Sequence, residues 1–151
     1  AGREGRLAAA TDFGATCAVA LTGEALTAEV RERTNGRGAD VVIVAVGDLA
    51  LANQALELAA IGGRVNYFAG FPKGKTASID QNLIHYRELA VTGGSNARRA
   101  DVRRAVELLS SGALDVGRLV THRFPLAELD AAVTAVARRD GLKVAVMPAA
   151  G

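Results

Sequence analysis

Asp40-Val41-Val42-Ile43-Val44-Ala45-Val46-Gly47 is the most strand-like stretch of the chain. Its apolar residues run on without interruption, most are β-branched, and a glycine closes them. Branching at Cβ favours the extended backbone over a helix. Unbroken apolarity, in place of an in–out alternation, predicts a strand covered on both faces, as in a parallel α/β sheet.

The pattern repeats on either side. Downstream, Asp48 is placed to cap a helix over 49–60, which stops at Gly62-Gly63. A strand over 64–68 and a loop over 69–74 follow. Residues 76–86 are less regular, with a short strand at 77–79 and a helical turn at 81–85. Next come a strand over 89–92 ending in Gly93-Gly94, a helix over 101–109, a strand over 120–124, a helix over 126–139 and a strand over 143–147. Upstream, a helix over 24–34 ends at Asn35-Gly36, a short buried strand is expected at 17–21, and a helix over 3–13 ends at Gly14. Strands alternating with helices predict a doubly wound α/β sheet.

The chain has 151 residues, half of them apolar, enough to bury a core. Eighteen Lys and Arg against sixteen Asp and Glu leave a net charge of +2. The basic pairs Arg98-Arg99, Arg103-Arg104 and Arg138-Arg139 adjoin helical patterns and are read as solvated faces. Four Phe and two Tyr form no stacking platform, so nucleic acid is not an expected partner. No apolar run approaches the ~20 residues of a membrane span, and Ala1 to Arg6 carries no signal-peptide core, so a membrane is not expected either. Cys17, the single cysteine, makes an internal disulfide impossible; a cytoplasmic setting and a buried, unreactive thiol are expected. One cysteine and two distant histidines, His85 and His122, spell no zinc site.

In parallel α/β sheets, ligands bind beyond the carboxyl ends of the strands. Three strands here end in small residues: Ala45-Val46-Gly47, Ala69-Gly70 and Gly93-Gly94-Ser95. Each could be an ordinary turn, but three in succession point to one cleft where a flat ligand can approach the main chain. No G-x-G-x-x-G or G-x-x-x-x-G-K-[ST] sequence is present. His85 has no evident carboxylate partner, His122 is expected to be structural or interfacial, and no G-x-S-x-G marks a nucleophile.

Gly36-Arg37-Gly38-Ala39-Asp40 leading into the strand, the 55–65 segment Ala-Leu-Glu-Leu-Ala-Ala-Ile-Gly-Gly-Arg-Val, the Gly-Phe-Pro loop, Asn82-Leu83-Ile84-His85-Tyr86-Arg87-Glu88-Leu89, Thr121-His122-Arg123-Phe124-Pro125-Leu126 and Gly141-Leu142-Lys143-Val144 together resemble the C-terminal half of medium-chain, zinc-type alcohol and polyol dehydrogenases. The likeness leans towards the threonine, sorbitol and cyclitol branch. It implies a partial Rossmann domain over 1–96, lacking its first two strands, and a C-terminal segment of the catalytic domain over 97–151. The cofactor implied is NAD or NADP. Arg6 would lie beside the adenosine ribose and Lys143 near the pyrophosphate. Ala45, Val46 and Gly47 would line the nucleotide, Phe68, Ala69 and Gly70 would flank the nicotinamide, and Gly94, Ser95 and Asn96 would face its carboxamide.

The resemblance places the glycine-rich turn, the ribose-binding acid and the zinc ligands upstream of Ala1, so zinc belongs to the parent enzyme only. No catalytic or metal-binding residue is expected in this chain, which would be inactive alone. It also implies a small alcohol as substrate and a homo-oligomer, dimer or tetramer, with 77–80 and 89–92 as interface segments. In the 3-2-1-4-5-6 order, 17–21 would be strand 3 and 41–46 strand 4, whose inner edge would then be open. A non-catalytic nucleotide-binding module and a zinc-free quinone reductase are the alternatives.

Overall fold

The computed structural model describes residues 3–113 and 115–148. In chain order the elements are helix α1 (Arg3–Asp12), helix α2 (Gly23–Arg33), strand β1 (Ala39–Val44), helix α3 (Leu51–Leu58), strand β2 (Ala59–Tyr67), helix α4 (Gln81–Tyr86), strand β3 (Ala90–Gly93), helix α5 (Arg99–Ser110), strand β4 (Val120–Pro125), helix α6 (Leu129–Arg138) and strand β5 (Lys143–Met147). The chain divides into two units: 21–96, and 1–20 together with 97–151.

The first unit is a three-stranded parallel sheet in the order β1-β2-β3. Val42 pairs with Val65, and Val65 with Val91, so three valines cross the sheet in one row. Together with Val44 they pack against Ala55 and Leu56 of α3 and Leu83 and Ile84 of α4, with Ala59 at the start of β2 and Leu89 just before β3 completing the core; Leu56 and Val65 have no exposed surface. The helix signals act locally. Asp48 accepts a hydrogen bond from the Ala50 N–H (3.0 Å) at the start of α3, and Asp80 accepts one from the Asn82 N–H (2.9 Å) at the start of α4. The buried Gln54 amide donates to the Gly23 carbonyl (2.6 Å), tying α3 to the start of α2.

The other face of this sheet is open, contrary to the expectation from the apolar run. Val41 and Ile43 are 56% and 63% exposed. Beside them the Asn66 amide donates to the Thr92 hydroxyl (2.9 Å). The reason is topological. Right-handed crossovers that advance the strand order in one direction set their helices on one face; covering the second face needs a reversal of order. The order β1-β2-β3 contains none.

Residues 17–21 form no strand, and Cys17 is exposed, so both expectations for this segment are corrected. A strand exists only through pairing, and no described strand pairs with this segment or with the outer edge of β1. Residues 77–79 likewise form no strand.

The second unit joins β4 and β5 as a parallel pair, with α6 between them in sequence, burying Ala132 and Ala135. Residues 1–20, with helix α1, group with this unit rather than with the first. Three contacts hold α1 there: Arg6 donates to the Gly141 carbonyl (3.1 Å), the Arg118 guanidinium stacks 5.5 Å from the centre of the Phe13 ring, and Arg118 lies 3.7 Å from the Asp12 carboxylate. Gly141 itself is packed so tightly that a Cβ would strike Thr121 and His122.

Candidate cofactor-binding site

All three strands of the first unit end on one side, because they are parallel neighbours. Beyond β1, the Val44 carbonyl accepts from both the Phe68 (3.1 Å) and Ala69 (2.9 Å) N–H groups, and the Gly94 N–H reaches the Tyr67 carbonyl (3.4 Å). The three predicted groups are thereby brought together: Ala45-Val46-Gly47, Phe68-Ala69-Gly70 and Gly94-Ser95-Asn96.

The glycines serve different purposes. A Cβ on Gly47 would strike the Gly70 carbonyl oxygen, so glycine is required for the first two strand ends to touch. A Cβ on Gly70 or Gly94 would meet nothing within 4 Å. Those two positions leave bare main chain under open space, as a flat ligand needs. Phe68 is 68% exposed at the rim, and Asn96 holds a left-handed backbone (φ 62°). Ala45 and Val46 also line an apolar cavity of about 300 Å³ with Leu26, Leu51 and Leu58. Beneath the site the Tyr67 hydroxyl donates to the Ala52 carbonyl, and burial raises its pKa above the usual phenol value.

Arg6 and Lys143 belong to the other unit, and they too are brought together. With Arg139 and Gly141 they line a second cavity of about 300 Å³, so three cationic side chains surround one space. Proximity of Arg6 and Lys143 was not legible from a separation of 137 positions; it follows from α1 docking on Gly141.

Neither histidine lines these cavities, although the His122 ring packs against Gly141. His85 packs edge-on against Tyr86 (4.8 Å), and His122 stacks on Phe124 (6.4 Å) beside the Thr121 hydroxyl. Among the described residues, no three His, Cys, Asp or Glu side chains are grouped to hold a metal ion. Sequence reasoning passed over Ala69-Gly70-Phe71-Pro72-Lys73-Gly74-Lys75-Thr76, which has phosphate-loop spacing except for its leading alanine. Residues 76–80 form neither helix nor strand and the chain becomes helical only at Gln81, so no helix N-terminus lies behind Lys75 to receive a phosphate.

A parallel sheet with helices between its strands defines an α/β protein. Residues 1–111 match the zinc-binding dehydrogenase family, and the chain belongs to that family. It is 32% identical to an L-threonine 3-dehydrogenase of Bacillus licheniformis over 96% of its own length and 42% of that protein. An alcohol dehydrogenase of Cupriavidus necator is 31% identical over 97% of this chain and 41% of its own. Among solved structures, an alcohol dehydrogenase from Thermus sp. ATN1 superposes with a TM-score of 0.84 at 29% identity, covering 95% of this chain and 41% of that one. The chain thus spans about two fifths of the length of such relatives. These relatives are oxidoreductases of alcohols by name, and the fold they share with this chain is a Rossmann-type α/β fold.

Proposed function

We propose that this chain supplies the nicotinamide side of the cofactor cleft in an NAD- or NADP-dependent dehydrogenase that oxidises a secondary alcohol of the polyol, cyclitol or amino-alcohol type. The observation that carries the reading is the row of three parallel strand ends, closed by Gly47 against Gly70 and left bare at Gly70 and Gly94.

Bound there, nicotinamide would accept the hydride lost from the alcohol carbon while the hydroxyl proton leaves to a base. The chain's part is to hold and orient the ring. Phe68, Ala69 and Gly70 would flank it. Main-chain groups of Gly94, Ser95 and Asn96 would face the carboxamide, and Ala45, Val46 and Gly47 would support the nucleotide. Arg6 and Lys143 offer positive charge suited to ribose and pyrophosphate oxygens. On this reading 1–96 is the partial cofactor-binding domain, and 97–151 is the C-terminal segment of the catalytic domain. The described residues do not fit a zinc site, so zinc would be held by other residues of a longer enzyme. The open edge of β3 and the neighbouring 77–80 segment suit a homo-oligomeric contact, and the lone thiol suits a cytoplasmic setting.

The test is titration of the chain with NADH, followed by nucleotide fluorescence, with and without zinc and a panel of polyols. Weak, saturable binding without turnover is expected. Zinc-dependent alcohol oxidation by the chain alone would overturn the reading of its role.

A further inference from the structure

At the amino ends of the same strands, Arg31, Arg37 and Arg87 line a cavity of about 410 Å³ with Gly36, Ala59 and Ile61. No carboxylate is among the lining residues. Arg87 Nη1 donates to the carbonyls of Glu57 (2.9 Å), Ala59 (3.3 Å) and Leu56 (3.4 Å). Arg31 Nη2 reaches the same Glu57 carbonyl (3.5 Å), while its Nη1 donates to Gly36 (3.1 Å). Two half-buried guanidiniums therefore converge on one neutral oxygen. Among the described residues neither has a carboxylate within ion-pair distance.

Capping of α3 accounts for part of this arrangement. The last carbonyls of a helix want donors, and its dipole presents about half a negative charge there. Two cations exceed that need, and their mutual repulsion grows with burial. Arg37 adds a third, tied to Asp40 in a pair exposed by about two thirds on each side, which water and salt readily exchange.

We propose that this cavity is a binding site for a phosphate-bearing small anion carrying at least two charges, separate from the candidate cofactor cleft. Guanidiniums approach from helix α2, from the loop before β1 and from the turn before β3, so donors come from several directions. A tetrahedral phosphate can accept all of them; a planar carboxylate engages one fork at a time.

The experiment is calorimetric titration of the full 151-residue chain with inorganic pyrophosphate. It is carried out in the Arg6→Gln/Lys143→Gln background, which removes charge from the cation-lined cavity of the other unit. Saturable binding is expected to persist there, to weaken about tenfold in Arg37→Gln and further in Arg37→Glu, and to be unchanged in Arg103→Gln. Acetate is expected to compete poorly. Absence of saturable binding in that background, equal weakening by Arg103→Gln and Arg37→Gln, or equally effective competition by acetate would each overturn the proposal. None of these results would bear on NADH binding at the strand carboxyl ends.

Discussion

Val65→Thr and Val41→Thr form a matched pair that tests the one-sided sheet. The substitution is nearly isosteric and keeps the β-branch, so strand preference is unchanged in both. Val65 has no exposed surface and sits between Val42 and Val91 in the central strand. A hydroxyl there loses water and finds carbonyls already engaged in the sheet, at a cost of about 1–3 kcal/mol. Val41 is 56% exposed, so its hydroxyl stays largely hydrated and the change is expected within about 0.5 kcal/mol. For a urea dependence of about 2 kcal/mol per molar, a 2 kcal/mol loss moves the midpoint down by about 1 M. The assay is urea unfolding followed by tyrosine fluorescence. The chain has no Trp, and both tyrosines, Tyr67 and Tyr86, lie in 21–96, so the signal reports this unit alone. Equal losses for the two variants would refute the reasoning: the face bearing Val41 and Ile43 would then be buried in solution.

Two further outcomes follow from local geometry. Gly47→Ala is expected to destabilise 21–96 by roughly 1–3 kcal/mol, because its Cβ meets the Gly70 carbonyl; Gly70→Ala, with open space above it, should leave the thermal midpoint unchanged and weaken NADH binding about tenfold or more, and unaltered affinity would remove Gly70 from the nucleotide site. At α5, Asp101 is held below its usual pKa by the Arg98 side chain and then by the Arg98 N–H (2.9 Å), so its stabilising effect is present above the unfolded value of 3.8 and is lost as pH falls through the lower folded value. Helical circular dichroism should show acid fraying of α5 in the native chain and a flatter pH response in Asp101→Asn; identical profiles would contradict the capping role.

What was legible in the sequence was what neighbouring residues decide. The valine run, the glycines closing it and the Asp48 and Asp80 turns each act within a few residues, and they located β1, β3 and the helices between them, whereas β2 begins at Ala59, inside the stretch expected to be helical, and runs through Gly62-Gly63. Coverage of a sheet face is not decided locally. Val41 and Val42 look alike in the sequence, yet one is exposed and the other packs against the core, because crossover direction selects the covered face. The same limit explains 17–21: its apolar residues are suited to a strand, but pairing requires a neighbour. The strand ends of the candidate site were readable because parallel order follows from repeated strand–helix units, whereas the convergence of Arg31, Arg37 and Arg87 depends on how three separate turns meet.

The polarity of the fold separates the two kinds of site. In a strand–helix–strand unit the helix runs back against the strands, so its N-terminus lies at their carboxyl ends and its carbonyl-bearing C-terminus at their amino ends. Asp48 at the start of α3 and the arginines around its last turn obey that polarity. Bare glycine main chain therefore sits where helix N–H groups and strand ends can receive a cofactor. Guanidiniums gather at the opposite end, first to satisfy helix carbonyls. Once three are gathered there, their charge exceeds what the carbonyls offset, and the same polarity that builds one site leaves the other end suited to an anion.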